Sequence, residues 1–258
     1  MTTIELDSLD FAFALALMGA AIALSIWQRL GLTRDIGLAT VRATIQLLAA
    51  GMILDAVFAV NQPWIVLGIV AIMLAIAAVA ARNRIAPKRR QFLPVVAIAL
   101  FASVLLTMSY CIVVIVQPPV WYDPQYLIPL AGMVLGNAMN AATIAGERLV
   151  STLRRSAIEI QTHLSLGAMP QQAIAQYRRE AMRAGLLPLL NRMMVVGLVT
   201  LPGMFTGQVL GGNNPLNAAS YQLLILFMIA FAEGIAVVFV TQGIAQQAFN
   251  RQAQFIEF

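Results

Sequence analysis

Long apolar runs dominate the chain and decide its fold class. A helix needs about 20 consecutive apolar residues to cross the hydrocarbon core of a bilayer, and we identify seven such runs. They lie roughly at 9–28, 41–60, 63–81, 93–116, 125–146, 193–211 and 217–241. Hydrophobic residues make up 60% of the chain and charged residues only 10%, too few charges to cover a water-soluble surface. The sequence therefore predicts one all-α, polytopic membrane domain over 1–258, with about seven transmembrane helices.

Basic residues predict the orientation of these helices. The loop between the third and fourth runs should be cytoplasmic by the positive-inside rule; its cations are Arg82, Arg84, Lys88, Arg89 and Arg90. Counting outward from it places the N-terminus outside and the C-terminus inside, with all 16 Lys and Arg residues on or beside the cytoplasmic side. Orientation accounts for the net charge of +5, so we expect no nucleic-acid partner. The first residues are acidic, which argues against a signal peptide.

The segment 148–192 is too polar to cross the membrane, yet it has a helical pattern. Its apolar residues recur at spacings of three and four: Leu149, Leu153, Ala157, Ile160 and Leu164. Gly167 suits the end of one helix and Pro170 the first turn of the next. The chain should thus leave the membrane, turn sharply and return as an amphipathic cytoplasmic helix. The residues alone leave two functions open: a helix resting on lipid, or a docking element for a soluble partner.

No catalytic constellation is visible in the sequence. The phosphate-binding loop of many ATPases requires the lysine of G-x-x-x-x-G-K-[ST], whereas Lys88, the sole lysine, lies between Pro87 and Arg89. The single histidine, His163, and the single cysteine, Cys111, belong to no pattern of metal ligands. We therefore expect no enzymatic activity, no catalytic residue and no cofactor bound by this chain.

Small residues recur at helical spacing in the fifth and sixth runs. They are Gly132 and Gly136 in the fifth run, and Gly203, Gly207 and Gly211 in the sixth. Such stripes let helix backbones approach closely within a bundle or across a dimer, so we interpret them as packing residues. Pro202 should kink or interrupt the sixth run.

Polar residues inside the apolar runs are candidate substrate contacts, because burying them in lipid is costly. They are Met133, Asn137 and Asn140 on one face of the fifth run, Arg42 and Gln46 near the start of the second, and Glu233 within the seventh. Met offers a soft thioether ligand, whereas Asn and Glu offer oxygen. Simpler roles remain open: Arg42 could snorkel to the interface, the asparagines could bridge helices, and Glu233 could pair with a buried donor or be protonated.

Four stretches resemble the FetB-type iron-export permeases, which are subunits of ATP-binding-cassette transporters; plant aluminium-tolerance permeases are similar. The stretches are Arg42–Leu47 with Gly51, Gly132–Met133 with Gly136–Met139, Leu166–Ala168 with Pro170 and Ala173, and Gly197–Val199 with Leu201–Met204 and Gly207. The resemblance covers roughly residues 10–245. Two features depart from it: Phe205 stands where a second methionine after Met204 is expected, and Glu233 belongs to no motif of the family.

The resemblance implies an exporter of iron or another metal ion in the cell (inner) membrane. Its partners would be a soluble ATPase subunit, which uses the ATP, and a second copy of the permease. Met204 joins the substrate pathway, and the turn becomes the element that docks on the ATPase, through Leu166, Gly167, Ala168, Met169, Pro170, Gln171 and Ile174. Two other functions remain open: export of an organic solute such as a nucleotide-sugar or lipid precursor, and a non-transporting membrane scaffold.

Overall fold

The computed structural model describes residues 7–60, 62–87, 89–250 and 252–256, which form two compact units. The first unit holds two helices and the short stretch Leu210–Gly212, and the second holds the remainder from Gln62 onward. Every named element in these ranges is helical, so the predicted all-α class is confirmed. Lys88 and Arg251, both counted in the predicted charge asymmetry, lie outside the described residues.

The first unit is a pair of helices, α1 (Ser8–Trp27) and α2 (Thr33–Val60). A tight turn joins them, in which Arg29 and Gly31 have φ angles of 51° and 71°. Glycine adopts this left-handed region without steric cost, so Gly31 favours the reversal of the chain. Within this unit Arg42 and Gln46 are both exposed on α2.

The second unit contains the remaining helices, except for Leu210, the last residue of one of them. They are α3 (Pro63–Ile85), α4 (Phe92–Tyr110) continued by a π-helical turn (Cys111–Val116), α5 (Pro124–Arg155), α6 (Ala157–Ser165), α7 (Pro170–Ala173), α8 (Ala175–Val195), α9 (Gly203–Leu210) and α10 (Pro215–Gln247). The helix starts follow from local chemistry. Proline occupies the first turn of α3, α5, α7 and α10, where its missing N–H costs no hydrogen bond. The side chains of Asp123 and Asn214 cap α5 and α10 by accepting hydrogen bonds from the N–H groups of Gln125 and Leu216.

Five helices of the described residues are long and apolar enough to cross a membrane: α2, α3, α4 with its π-helical turn, α5 and α10. Helix α1 adds a shorter apolar stretch, Phe13–Trp27. These elements cover six of the seven predicted runs, and they confirm a polytopic helical membrane protein. Helix α5 also extends past the predicted end of its run, to Arg155.

The core of the second unit lies where α4, α5 and α10 meet. Small side chains on α5, among them Ala138, Ala142 and Ala145, are fully buried there. At one end of the unit, Ile85 of α3 and Ile244 of α10 both lie against Gly146 of α5. Gln247 of α10 donates a hydrogen bond to the carbonyl of Gln91, just before α4. We call this end, where α3, α5 and α10 finish, the basic end, because Arg82, Arg84, Arg154 and Arg155 lie in the last turns of α3 and α5.

The sixth predicted run, 193–211, is not a single helix. Helix α8 ends at Val195, and the chain turns through Val196–Thr200 before α9 begins at Gly203. The carbonyl of Val195 accepts hydrogen bonds from the N–H groups of Val199 and Thr200, and Gly197 has a φ of 83°. Pro202 follows, and it cannot donate a helical hydrogen bond. The predicted interruption near Pro202 is thus confirmed, and the apolar run is divided between the end of α8, the turn and α9.

The glycines of the predicted stripes are not the glycines that pack most closely against other helices. Of the predicted set, Gly132 contacts the Met73 side chain, with 3.1 Å between the methyl carbon and a Cβ built on the glycine. A Cβ built on Gly136, Gly203 or Gly207 has no described atom within 4 Å, and Gly211 lies in the first unit. The closest helix contacts occur instead at the isolated Gly146, Gly185 and Gly243. A packing role for the α9 stripe against a second copy of the chain stays a prediction.

Gly185→Ala should destabilise the second unit by about 1–3 kcal/mol, the usual cost of an overpacked contact. A Cβ at position 185 would lie 2.8 Å from the Ala141 carbonyl oxygen and 2.9 Å from the Ala145 Cβ, so backbone must move. Thermal unfolding of the detergent-solubilised protein measures the loss. Gly207→Ala is the matched control, because that site is open and alanine is the better helix former. Equal losses at both positions would mean that another chain covers α9.

Candidate substrate site and coupling turn

A cavity of about 550 Å³ opens among the first turns of α5 and α10 and helix α9. It brings together two of the predicted pathway residues, Met133 of α5 and Met204 of α9. The other polar groups of its wall are amides and phenols, contributed by Gln125, Tyr126, Gln208 and Tyr221. None of its lining residues carries a charge. The cavity therefore offers soft thioether sulfur beside neutral oxygen ligands.

Pro129 adds a backbone acceptor to this wall. It lies inside α5 and lines the cavity. Because proline has no N–H, it cannot donate the usual helical hydrogen bond to the carbonyl of Gln125. A carbonyl oxygen released in this way is available to a ligand, as in other interrupted membrane helices.

A polar network lies one helical turn beyond Met133. The Asn137 side chain donates a hydrogen bond from Nδ2 to the Met133 carbonyl at 2.8 Å. Its Oδ1 accepts a hydrogen bond from Nη1 of Arg192 at 2.8 Å. Nη2 of Arg192 donates to Oε1 of Glu233 at 2.9 Å, which makes an ion pair. One guanidinium thus joins α5, α8 and α10.

Burial is very unequal across this ion pair. The Glu233 side chain is 2% exposed, whereas the Arg192 side chain is 54% exposed. A buried carboxylate is costly unless a cation or hydrogen-bond donors compensate its charge. Arg192 supplies that compensation from the open side of the network. Of the two roles left open for Glu233, pairing with a donor is the one that the structure shows.

Helix α8 is placed by close packing, which puts Arg192 against its partners. Gly185 lies against α5 at Ala141 and Ala145 and against α10 at Val237, and Leu189 is buried one turn later. Residues at i, i+4 and i+7 share one face of a helix. Arg192 therefore follows Gly185 and Leu189 on the face that meets α5 and α10.

The predicted turn lies at the other end of α8. Gly167, with a φ of 91°, ends α6, and the N–H of Ala168 bonds to the carbonyl of His163, a glycine-dependent helix stop. Pro170 opens α7, and the Gln172 side chain accepts a hydrogen bond from the N–H of Met169. The sharp corner predicted from Gly167 and Pro170 is confirmed.

The predicted docking residues of the turn differ in how exposed they are. Leu166 and Met169 are 81% and 67% exposed, large apolar side chains at the tip of a tight corner. Gly167 and Gln171 are also exposed, and Ala168 and Pro170 are half-buried. Ile174 is only 2% exposed, so it anchors the turn from inside, and its predicted docking role stays a prediction.

Tyr177 supports the turn from beneath. It is buried in the first turn of α8. Burial, followed by the neighbouring Glu159 carboxylate of α6, raises the pKa of its hydroxyl. The phenol therefore stays protonated at neutral pH and fixes α8 against α6 as a neutral group.

One predicted pathway residue of the second unit lies apart from this network. Asn140 is exposed on α5 and shares none of the hydrogen bonds of Asn137. Arg42 and Gln46 belong to the first unit. The pathway role of all three residues stays a prediction.

The sequence alone does not distinguish Arg192, because it lies among the arginines of the 148–192 segment. A signal for it exists: Glu233 needs a cation, and Arg192 is the basic residue beside the sixth apolar run. The cavity residues Gln125, Tyr126, Gln208 and Tyr221 were also missed. They lie at helix ends, where polar residues are ordinary, so no pattern distinguishes them. Among the described residues, no group of three or more His, Cys, Asp or Glu side chains could hold a metal ion.

These features define a polytopic helical membrane protein with an interrupted helix beside a neutral, methionine-containing cavity. Comparison with known proteins gives the family. The chain belongs to the uncharacterised protein family UPF0014, which it matches over residues 8–249. The family-level resemblance predicted from the sequence is therefore confirmed.

Relatives match over nearly whole chains. The "UPF0014 membrane protein slr1647" of Synechocystis sp. is 52% identical over 98% of both chains. The "Probable iron export permease protein FetB" of Escherichia coli is 32% identical, over 99% of this chain and 97% of the relative. The "Protein ALUMINUM SENSITIVE 3" of Arabidopsis thaliana is 32% identical, over 87% of this chain and 81% of the relative. No solved structure is significantly similar to the chain.

Proposed function

We propose that this chain is the membrane permease subunit of an ATP-driven exporter of iron or another metal ion. The ATPase would be a separate soluble subunit, and the assembly would contain two copies of each. The FetB relative, which is named a probable iron export permease, supports the proposal because it matches 99% of this chain. The absence of a phosphate-binding lysine motif from this sequence supports a partner that uses the ATP.

The meeting of Met133 and Met204 in one cavity is the observation that carries the metal substrate. The two thioethers come from residues far apart in the chain, and an interrupted helix brings them together. Thioether sulfur suits soft and borderline metal ions, and the surrounding amide, phenol and backbone oxygens suit harder ones. Membrane transporters commonly bind substrates where a spanning helix is broken. Neutral ligands also release a cation more readily than clustered carboxylates, which a transport site requires.

Helix α8 is the mechanical connection in this mechanism. It begins beside the exposed turn at Leu166–Met169 and carries Arg192 near its far end. From Ile174 to Arg192 it rises about 27 Å at the helical rise per residue. Contacts of Gly185 with α5 and α10 guide its movement along the bundle. Closure of the ATPase pair would push the turn, and α8 would carry the displacement to the network of Asn137, Arg192 and Glu233.

Met133→Leu combined with Met204→Leu should weaken the apparent affinity of the complex for Fe²⁺ by about tenfold or more, because the soft ligands are lost. Leucine conserves side-chain volume, so the cavity should keep its shape. The measurement is Fe²⁺-stimulated ATP hydrolysis and Fe²⁺ transport by the permease with its ATPase in proteoliposomes. Met228→Leu is the matched control, because Met228 is a buried methionine of α10 outside this cavity.

The size of the cavity favours one alternative, export of an organic solute such as a nucleotide-sugar. A volume of about 550 Å³ without a charged lining residue exceeds the needs of a bare ion. The same assay separates the two substrates if Fe²⁺, Co²⁺ and Mn²⁺ are compared with a nucleotide-sugar. Stimulation by the nucleotide-sugar, with none by the metals, would overturn metal export.

A further inference from the structure

We propose that Asn137 Oδ1 and Glu233 Oε1 form a second cation site, one helical turn along α5 from the methionine cavity. In this structure the Arg192 guanidinium occupies the site in place of the transported ion. This inference rests on the proposed metal-export function. It assigns Arg192 a role in selecting cations, separate from holding the helices together.

The first argument is the chemistry of the two acceptors. Arg192 donates to an amide oxygen at 2.8 Å and to a carboxylate oxygen at 2.9 Å. Carboxylate and amide oxygens are also ligands of divalent cations. Two such oxygens already gathered around one positive charge make a site that a metal ion can take over.

The second argument is the fixed orientation of Asn137. Its Nδ2 donates to the Met133 carbonyl, so the amide oxygen must face Arg192. That carbonyl belongs to a residue of the cavity wall, and Asn137 lies one helical turn further along α5, toward its predicted cytoplasmic end. A cation that is exported from the cytoplasm would thus meet Asn137 Oδ1 before it reaches Met133.

The third argument is that Arg192 is held on one side only. Its hydrogen-bond partners Asn137 and Glu233 lie on α5 and α10, and more than half of its side chain is exposed. It donates to Oε1 of the carboxylate. The guanidinium can therefore withdraw toward its exposed side, and Oε1 of Glu233 then becomes available to a metal ion.

The fourth argument is the position of Arg192 in the chain. It lies three residues before α8 ends at Val195 and just before the turn that breaks the helix. A displacement of α8 along the bundle moves the guanidinium directly. The site would then open when the coupling turn moves, and Arg192 would refill it after release, which prevents an ion from returning.

Arg192→Gln should raise the affinity for Co²⁺ by about tenfold or more, because Arg192 keeps the site closed in the parent protein for most of the time. A site that is open for only a small fraction of the time binds its ligand correspondingly weakly. Co²⁺ is the probe, titrated into the permease–ATPase complex in lipid nanodiscs and followed by its visible absorption. The Met133→Leu/Met204→Leu background removes the thioethers, so any gain comes from oxygen ligands. Co²⁺ should also raise the melting temperature of the Arg192→Gln variant more than that of the parent.

Two companion variants define the site. Arg183→Gln changes an exposed arginine of the same helix outside the network and should leave Co²⁺ affinity at the parent value. Arg192→Gln/Glu233→Gln should lose the gain, since the carboxylate is gone. If Arg192→Gln fails to fold, Arg192→Lys replaces it; a single ammonium cannot bridge both oxygens as the guanidinium does, so affinity should still rise severalfold.

Unchanged or weaker Co²⁺ binding in both Arg192 variants would overturn this site. Wild-type Fe²⁺ transport, measured in parallel, would then leave the proposed function standing. A wild-type complex that responds to no metal ion would instead overturn the proposed function itself, whatever the titrations give.

Discussion

Replacing Gly167 by tryptophan is expected to abolish coupling between the proposed ATPase subunit and this chain while leaving its helices folded. Gly167 is exposed at the corner between α6 and α7 with a φ of 91°, and no described atom lies within 4 Å of its Cβ position. An indole there meets no core residue, so the cost to the fold is the local backbone strain, about 1–2 kcal/mol. It would project beside Leu166 and Met169 and hold a docking partner away. The readouts are co-purification with the ATPase and metal-stimulated hydrolysis.

Gly167→Asn is the matched control for this change. Asparagine tolerates the left-handed region far better than other side chains and is small, so coupling should survive. Leu166→Ser/Met169→Ser tests the same surface without touching the backbone, and we expect it to weaken ATPase binding. A Gly167→Trp variant that binds its ATPase and transports normally would show that the turn rests on the lipid surface.

Glu233→Lys should cost about 3–5 kcal/mol, enough to prevent accumulation of the folded protein. Position 233 is 2% exposed, and the lysine would face Arg192 with no anion to compensate either charge. Membrane-fraction yield and thermal unfolding in detergent measure the effect. Glu147→Lys makes the same substitution at an exposed site of α5 and should change stability by no more than about 1 kcal/mol.

Arg192→Glu added to Glu233→Lys restores opposite charges and should recover much of the lost stability. Recovery identifies a direct pair, because independent sites would add their losses. A Glu233→Lys variant that folds as well as the parent would contradict the buried ion pair.

The elements that the sequence predicts best are those set by local chemistry. Apolar runs specify α2 to α5 and α10 because lipid demands continuous helices. The corner at Gly167 and Pro170 is equally local, since one residue supplies the positive φ and the other starts a helix. Neither feature depends on what lies across the bundle.

The elements that it predicts poorly depend on tertiary partners. The apolar run 193–211 has the length of a span, but Gly197 and Pro202 divide it. Gly185 belongs to no stripe, and only the neighbouring Ala141 carbonyl shows why glycine is required. The thioether sulfurs of Met133 and Met204 make both residues candidate metal ligands, and the structure alone shows that they share a cavity. In the sequence Arg192 is one of many cations, and only the structure shows that it pairs with Glu233.

The ion pair between α8 and α10 also bears on how the chain enters the bilayer during synthesis. The stretch from Gly185 to Val209 is broken and carries an arginine, so on its own it partitions weakly into lipid; an arginine at mid-helix costs about 2.5–3.5 kcal/mol during insertion. Helix α10 is long and apolar enough to insert independently, and its Glu233 neutralises Arg192. The stretch from Gly185 to Val209 and helix α10 should therefore enter the bilayer together as a hairpin. Insertion of α10, which is synthesised later, would then stabilise the earlier stretch in the membrane. Truncation before α10 would remove the partner of Arg192, so the stretch that carries this arginine should insert less completely.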